Sequence, residues 1–227
     1  MNWGKRHDTA LHVTMLVTLL LLAYLSTFVA KLPPPPWDAV SFHLFFYHIP
    51  IAWTAYLSFG IVFVASILYL RTRNSRWDMV AASSAEVGVL LTTLALLTGS
   101  LWSEAQLGYY WTWDDAKLFT TFILWMAYVA YMALRAGIKG EAKARLSAVF
   151  GIISFVFVPL SFFSSRFLVS VHTSLTSYPF PPENAAILVV GVVAFTLLFA
   201  SLLRLRLGIE KLTGQVEVVK EEMEETT

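Results

Sequence analysis

Gly108-Tyr-Tyr-Trp-Thr-Trp-Asp-Asp-Ala-Lys117 is the stretch around which the rest of the chain is organised. It places four aromatic residues within five positions and follows them with two adjacent carboxylates. Long apolar runs flank it, one ending near Leu101 and one starting near Leu118. Because unsatisfied backbone groups and paired acids are costly in lipid, the stretch is predicted to be a loop at a membrane surface.

The composition is typical of a membrane protein with several spans. Of the 227 residues, 57% are hydrophobic and 14% are charged, and long apolar runs recur along the chain. This predicts a polytopic α-helical membrane protein. The sequence contains no cysteine, which excludes disulfides, thiolate metal sites and covalent cofactor attachment through Cys-x-x-Cys-His. No small-x-small cleavage site follows the first apolar run, so that run is interpreted as a retained helix.

The apolar runs predict six transmembrane helices joined by polar connections. Their predicted bounds are Leu11–Ala30, Leu44–Leu70, Met79–Leu101, Leu118–Leu134, Leu146–Phe163 and Ala185–Leu207. The proline run after Lys31 predicts a stiff extended connector, because proline lacks an amide donor and clashes within a helix. The charged tail from Gly208 is expected to form a short soluble helix. We therefore divide the chain into a transmembrane domain, residues 1–207, and a tail, residues 208–227.

The distribution of basic residues predicts the orientation in the membrane. Six spans place both termini on one side, and thirteen of the 16 basic residues lie in the segments on that side. These are Lys5, Arg6, Arg71, Arg73, Arg76, Arg135, Lys139, Lys143, Arg145, Arg204, Arg206, Lys211 and Lys220. Cytoplasmic loops are enriched in lysine and arginine, so both termini are predicted to be cytoplasmic. The aromatic loop, His48 and His172 then face outward.

Three features share the predicted outer surface, namely His48, the Trp111–Asp114 segment and His172. Neutral imidazole is a good ligand for haem iron, which accepts two axial ligands, and tryptophan packs well against a macrocycle. Each feature also has a plainer interpretation. An interfacial histidine is more often only solvated, and tryptophans at a membrane surface often form an aromatic belt. The spacing by itself leaves both interpretations open, whereas His43 points away from His48 on a helix.

Charged residues near this surface suggest further roles. Haem carries two anionic propionates, so Lys117 and Arg166 are the candidates to bind them. Asp114 is expected to cap the fourth helix or to orient Trp113, and either Asp114 or Asp115 has the right position for the N-cap.

The motifs resemble those of a known family. Leu96-Leu-Thr-Gly-Ser-Leu-Trp102 and Gly108-Tyr-Tyr-Trp-Thr-Trp-Asp114 resemble the tryptophan-rich WWD signature of haem-handling proteins in cytochrome c maturation. Tyr47-His-Ile-Pro50 and Val171-His-Thr-Ser-Leu175 resemble the two outward histidine segments of the six-helix CcmC type, the haem exporter protein C family. The resemblance covers nearly the whole chain. One departure is the extra acid in Asp114-Asp-Ala-Lys-Leu-Phe-Thr120.

The resemblance implies a non-enzymatic subunit that transiently holds haem b at the outer face of the cytoplasmic membrane and delivers it onward. His48 and His172 would be the axial ligands to the iron, and Trp111, Trp113 and Asp114 the platform. The wider set of candidate haem contacts is Trp102, Tyr110, Lys117 and Arg166. The implied partners are a membrane-anchored haem chaperone, ABC transporter subunits of the maturation system and a small single-span accessory subunit, with no nucleic acid.

Two other classes of function are open on the sequence. A haem-b electron-transfer subunit usually has a histidine pair inside the bilayer, and a cytochrome c synthetase-like enzyme is expected to be longer. A polytopic transporter would use Glu86, because acids within membrane helices are functional candidates by default. The alternative for Glu86 is a pair with a nearby arginine or hydroxyl. No internal repeat or broken-helix pair of the transporter kind is present in the sequence.

We expect a labelling map to place residues 48, 111 and 172 on the same, outer face of the membrane. Because the chain has no cysteine of its own, His48→Cys, Trp111→Cys and His172→Cys each give a single thiol. A membrane-impermeant maleimide should reach all three in intact cells, and should reach Lys139→Cys only after permeabilisation. Labelling from opposite sides would rule out a shared haem site.

Overall fold

The fold consists of membrane-length helices packed side by side. The computed structural model describes residues 3–34, 39–172 and 181–225, and these residues form seven helices and no strands. The helices are α1 (Trp3–Val29), α2 (Ala39–Thr72), α3 (Ser75–Leu107), α4 (Ala116–Gly137), α5 (Glu141–Ser154), α6 (Phe157–Phe167) and α7 (Pro182–Glu225). They provide six segments long and apolar enough to cross a membrane, with α5 and α6 forming one span. The predicted all-α fold with six transmembrane helices is confirmed.

Most helices extend beyond the apolar runs that predicted them. α2 and α3 are 34 and 33 residues long, several residues longer than expected at both ends. Hydropathy marks the residues that suit lipid, whereas backbone hydrogen bonding continues into polar flanks. α7 likewise runs through Gly208 to Glu225, so the tail continues the last span and is not a separate short helix. The domain division at residue 208 stays a prediction, and Pro35–Asp38 of the connector lie outside the described residues.

The fifth span is interrupted, where the sequence predicted one helix over Leu146–Phe163. α5 ends at Ser154 and α6 begins at Phe157. The cause is Pro159, which has no amide hydrogen to donate to the carbonyl of Phe155 four residues earlier. That carbonyl accepts from Val158 N–H instead, at 3.0 Å, which tightens the chain locally. α6 then continues to Phe167, four residues beyond the predicted end of this span at Phe163.

The centre of the bundle is the close contact between α2 and α3. Gly88 of α3 faces Ser58 and Phe59 of α2, where an added Cβ would lie 2.3 Å from Ser58 Oγ and 2.6 Å from Phe59 Cε1. The Ser84 hydroxyl donates to the carbonyl of Ser58 at 2.9 Å. Phe59 in turn stacks on Tyr128 of α4, with ring centroids 3.7 Å apart. Small residues therefore let the two longest central helices approach and fix their register.

An ion pair joins α3 and α4 at the end predicted to be cytoplasmic. Arg135 donates to both oxygens of Asp78, at 2.6 and 2.9 Å, and the two side chains are 12% and 19% exposed. A bidentate pair of this kind fixes both distance and orientation. It holds the start of α3 against the end of α4.

We predict that Gly88→Ala destabilises the bundle, because its methyl group overlaps Ser58 and Phe59. Overpacking of this kind costs about 1–3 kcal/mol, against a gain of about 1 kcal/mol in helix propensity. Gly60→Ala in α2 is the matched control, since no atom lies within 4 Å of its added Cβ. Thermal unfolding in detergent should show a lower Tm for Gly88→Ala and an unchanged or higher Tm for Gly60→Ala. An equal Tm for both variants would contradict the close contact.

Candidate functional site

His48 lies in α2 and is half-buried against the last part of α3. Its Nδ1 is 2.9 Å from the hydroxyl oxygen of Thr98. The next residue, Gly99, leaves room for the ring, because a Cβ at that position would lie 3.2 Å from His48 Cε1. α2 continues through Pro50, which packs against Gly191 of α7. The imidazole therefore packs between α2 and α3, where Thr98 contacts its Nδ1 and the absence of a side chain at Gly99 leaves space for the ring.

His172 lies in the extended segment 168–172 that follows α6. Its ring contacts the indole of Trp102, with centroids 5.6 Å apart and planes tilted by 32°. The side chain is 21% exposed. The backbone of the segment is tied to the start of α4 by a hydrogen bond from Ala116 N–H to the carbonyl of Val169, at 3.1 Å. Residues 173–180, including Thr173–Leu175 of the histidine motif, lie outside the described residues.

α3 brings the two histidines together. Thr98 and Trp102 are four residues apart, so they lie on one face of the helix about one turn from each other. Thr98 contacts His48 and Trp102 contacts His172. His48 is also within electrostatic range of both His172 and Lys117. The two histidines, far apart in sequence, thus contact neighbouring turns of the same helix face.

Asp115 connects the start of α4 with the His172 segment. Its Oδ1 accepts from Leu118 N–H at 2.9 Å, which makes Asp115 the N-cap of α4. Its Oδ2 accepts from the Val171 N–H at 2.6 Å and from the Ser170 hydroxyl at 2.9 Å. The Ser170 oxygen in turn accepts from the His172 N–H at 3.1 Å. The cap is therefore Asp115, and the interpretation of Asp114 as the cap is wrong.

The electrostatics of Asp115 follow from these contacts. Burial would raise the pKa of the carboxyl group, whose side chain is 1% exposed. The contact with the His172 ring and the hydrogen bonds from Leu118, Val171 and Ser170 outweigh burial, and they hold the pKa well below its usual range. The nearest ring atom, His172 Nδ1, is 3.6 Å from Asp115 Oδ1. That distance is longer than a hydrogen bond, so the ring faces the carboxylate without donating to it. Asp115 is ionised at neutral pH.

Two tryptophans of the loop and two phenylalanines of α4 form what we call the aromatic ledge, namely Trp111, Trp113, Phe119 and Phe122. Trp111 and Trp113 pack edge to face at 5.3 Å, and both pack edge to face on Phe122, at 5.9 and 5.6 Å. Trp113 is 61% exposed, and neighbouring Tyr110 is 60% exposed. The Asp114 carboxylate is exposed beside them. The predicted platform is thus an ordered cluster with an accessible outer surface.

The two basic candidates differ in their surroundings. Lys117 points into the bundle, where its ammonium group donates to the Tyr56 hydroxyl at 3.1 Å and to the Ser161 carbonyl at 2.8 Å. Arg166 is exposed in the last turn of α6. Lys117 is therefore largely committed to joining α2, α4 and α6. Arg166 is the more accessible cation for an anionic ligand.

His43 and Glu86 do not belong to this site. His43 Nε2 lies 3.2 Å from the carbonyl oxygen of Leu32, so His43 links α2 to the preceding connector. Glu86 forms an ion pair with Arg206 of α7, whose guanidinium donates to both carboxylate oxygens. Arg206 also pairs with Glu210 at 2.6 Å. The arginine-pair interpretation of Glu86 is confirmed.

Sequence reasoning did not identify the residues that support the histidines. Thr98 and Ser170 carried no recognisable signal, because hydroxyl residues are common in membrane helices and turns. Asp115 did carry one, since an acid directly before a helix-forming run is typical of an N-cap. Its second role, holding residues 170–172, depends on a contact between segments 55 residues apart.

Comparison with known proteins identifies the family of the chain. The family model "Heme exporter protein C" matches residues 2–222. Proteins named heme exporter protein C are 31% identical in Bradyrhizobium diazoefficiens, over 82% of this chain and 72% of the relative, and 31% identical in Rhodobacter capsulatus, over 70% and 68%. A mitochondrial protein of Marchantia polymorpha named for cytochrome c biosynthesis is 27% identical, over 66% of this chain and 62% of that protein. The chain therefore belongs to the heme exporter protein C family.

Proposed function

We propose that this protein is a haem-binding membrane subunit of cytochrome c maturation. It holds haem b transiently at the outer face of the cytoplasmic membrane and delivers it to a membrane-anchored haem chaperone. His48 and His172 are the axial ligands to the iron. Trp102, Tyr110, Trp111, Trp113 and Asp114 surround the ring, and Arg166, with a smaller contribution from Lys117, binds the propionates.

The observation that carries this proposal is the meeting of His48 and His172 along one face of α3. Bis-histidine haem needs two imidazoles from opposite sides of the ring, and few other ligands need such a pair beside exposed indoles. The surroundings also fit a large polar-edged ring. Among the described residues, the buried side-chain nitrogen atoms without a hydrogen-bond partner are Trp111 Nε1 and His172 Nδ1. Both belong to the site, and His172 Nδ1 faces the Asp115 carboxylate at 3.6 Å.

The exposure of the ledge supports delivery and not permanent storage. A ring resting on Trp113 and Tyr110 would be covered on one side only, because both side chains are more than half exposed. A partner protein has access to such a ligand from the opposite side. The assigned chemistry is binding and transfer, with no covalent bond made by this chain. The sequence has no Gly-x-x-x-x-Gly-Lys-Ser/Thr segment, so ATP hydrolysis is assigned to ABC transporter partners.

The test is the absorption spectrum of the purified protein with haem, oxidised and reduced. We expect a low-spin, bis-histidine spectrum for the native chain. His48→Ala or His172→Ala should leave one axial ligand and give a high-spin spectrum with weaker binding. The double variant should lose the iron contribution to binding altogether.

His43→Ala is the matched control, because it removes an imidazole from the same helix whose ring contacts Leu32 and not α3. Its spectrum should equal that of the native chain. Unchanged haem binding in the double variant His48→Ala/His172→Ala would refute the ligand assignment. Haem that binds normally but never passes to an added chaperone would favour the electron-transfer alternative.

The transporter alternative is disfavoured by the ion pair of Glu86. A carboxylate that is paired with Arg206 already has a structural role between α3 and α7. Flux that depends on Glu86 and is indifferent to haem would restore that alternative.

We predict that Glu86→Gln lowers stability and leaves the haem spectrum unchanged. Each side chain of the pair is 30% exposed, so we expect a coupling energy of about 1 kcal/mol after allowing for solvent screening. The measurement is a double-mutant cycle of Glu86→Gln and Arg206→Gln, followed by thermal unfolding in detergent. A haem spectrum that changes in Glu86→Gln would contradict a purely structural role for this acid.

A further inference from the structure

The contact between His48 and Thr98 determines which nitrogen of His48 carries a proton. Thr98 has one hydroxyl hydrogen, and it donates this hydrogen to its own helix, to the carbonyl of Leu94 at 2.8 Å. The carbonyl of Ala95 is a second acceptor at 3.2 Å. A hydroxyl whose hydrogen is already donated can only accept from a third group. Nδ1 of His48, 2.9 Å away, is therefore the donor, which leaves the lone pair on Nε2.

Asp115 imposes the same choice on His172. Both oxygens of Asp115 accept hydrogen bonds, from the first turn of α4 and from residues 170 and 171, so the imidazole nitrogen that faces this acceptor is favoured as N–H. The nitrogen that faces Asp115 Oδ1 is Nδ1, at 3.6 Å. Asp115 also fixes the backbone before the ring through Val171 N–H and the Ser170 hydroxyl.

We infer that Thr98 and Asp115 are positioning residues, which hold His48 and His172 in the same Nδ1–H tautomer and leave Nε2 of each available to iron. This inference rests on the proposed function, since it concerns how the two ligands of that site are prepared. Histidine ligands generally donate their second ring N–H to an acceptor that fixes ring orientation and raises ligand basicity. The acceptors here are not equivalent. Thr98 is neutral and Asp115 is anionic, so His172 is the stronger electron donor of the two.

The experiment compares the two positioning residues with matched controls. Thr98→Val keeps the shape of the side chain and removes the acceptor. Asp115→Asn removes the charge and keeps a residue that is also a good N-cap, so α4 retains its start. The controls are Thr196→Val in α7, whose hydroxyl donates to its own helix, and Glu104→Gln, an exposed acid near the end of α3. The measurements are haem titration of the apoprotein and the midpoint reduction potential of the bound haem.

We expect Thr98→Val and Asp115→Asn each to weaken haem binding about 10–100-fold, the usual effect of losing a residue that orients a metal ligand. Asp115→Asn should also raise the midpoint potential, because removal of a negative charge beside His172 disfavours the ferric state. Thr98→Val should shift the potential less. Thr98→Ser should restore native binding, since it returns the hydroxyl acceptor. Both controls should match the native chain in affinity and potential.

Three results would overturn the inference. Native affinity and potential in both Thr98→Val and Asp115→Asn would show that the contacts do not prepare the ligands. Failure of Thr98→Ser to restore binding would show that volume and not the acceptor matters at this position. An equal loss in Glu104→Gln would point to general charge. If Asp115→Asn fails to fold, Thr98→Val and Thr98→Ser test the inference without it. Failure of the proposed function is distinct, because the native chain would then bind no haem, or His48→Ala and His172→Ala would bind it normally.

Discussion

The Asp115 carboxylate forms the hydrogen bonds on which the arrangement of the candidate site depends. It receives hydrogen bonds from the first turn of α4 and from residues 170 and 171, which lie 55 and 56 positions further along the chain. Without it, the amide groups at the start of α4 and in the segment before His172 would lose their shared acceptor near the membrane surface. Burial of this charge is tolerable because several donors surround it. The Asp115 side chain thus follows the aromatic loop, caps α4 and holds the backbone immediately before His172.

The length of α3 allows it to carry the residues that contact both histidines. Its 33 residues correspond to about 50 Å, which exceeds the roughly 30 Å of a bilayer core. The helix is therefore longer than the hydrocarbon core is thick, and it carries Thr98, Gly99 and Trp102 on turns near the end that is predicted to face outward. The same helix is fixed to α2 by the Gly88 contact and to α4 by the Asp78–Arg135 pair. The helix that contacts both histidines is consequently held by its neighbours α2 and α4.

The charged residues inside the bundle have partners, whereas two ring nitrogens near the candidate site have none. Glu86, Asp78 and Lys117 each have partners on a neighbouring helix, so they serve to join helices. At the outer end, Trp111 Nε1 and His172 Nδ1 are buried without a hydrogen bond, and Trp113 is mostly exposed. Unmet polar groups and exposed indoles are costly to a protein that needs only to be stable. Unpaired buried hydroxyls also lie elsewhere in the described part of the bundle, at Ser66, Tyr128 and Tyr131, so the exposed indole of Trp113 is the feature of this end that is consistent with a surface shaped for a ligand.

Sequence alone determined the fold class and the number of spans, and it contained the histidine and tryptophan motifs. It could do so because lipid permits long apolar helices and few alternatives, and because the motifs are local. Sequence could not identify Asp115 as the N-cap with certainty, the inward direction of Lys117 or the interruption before Phe157. It also gave no sign of Thr98. Tertiary structure decided these features, since each depends on which atoms of distant segments lie within a few ångströms. Hydropathy reports the preference of each segment for lipid. The tautomer of a histidine depends instead on the acceptor that tertiary packing places beside its ring.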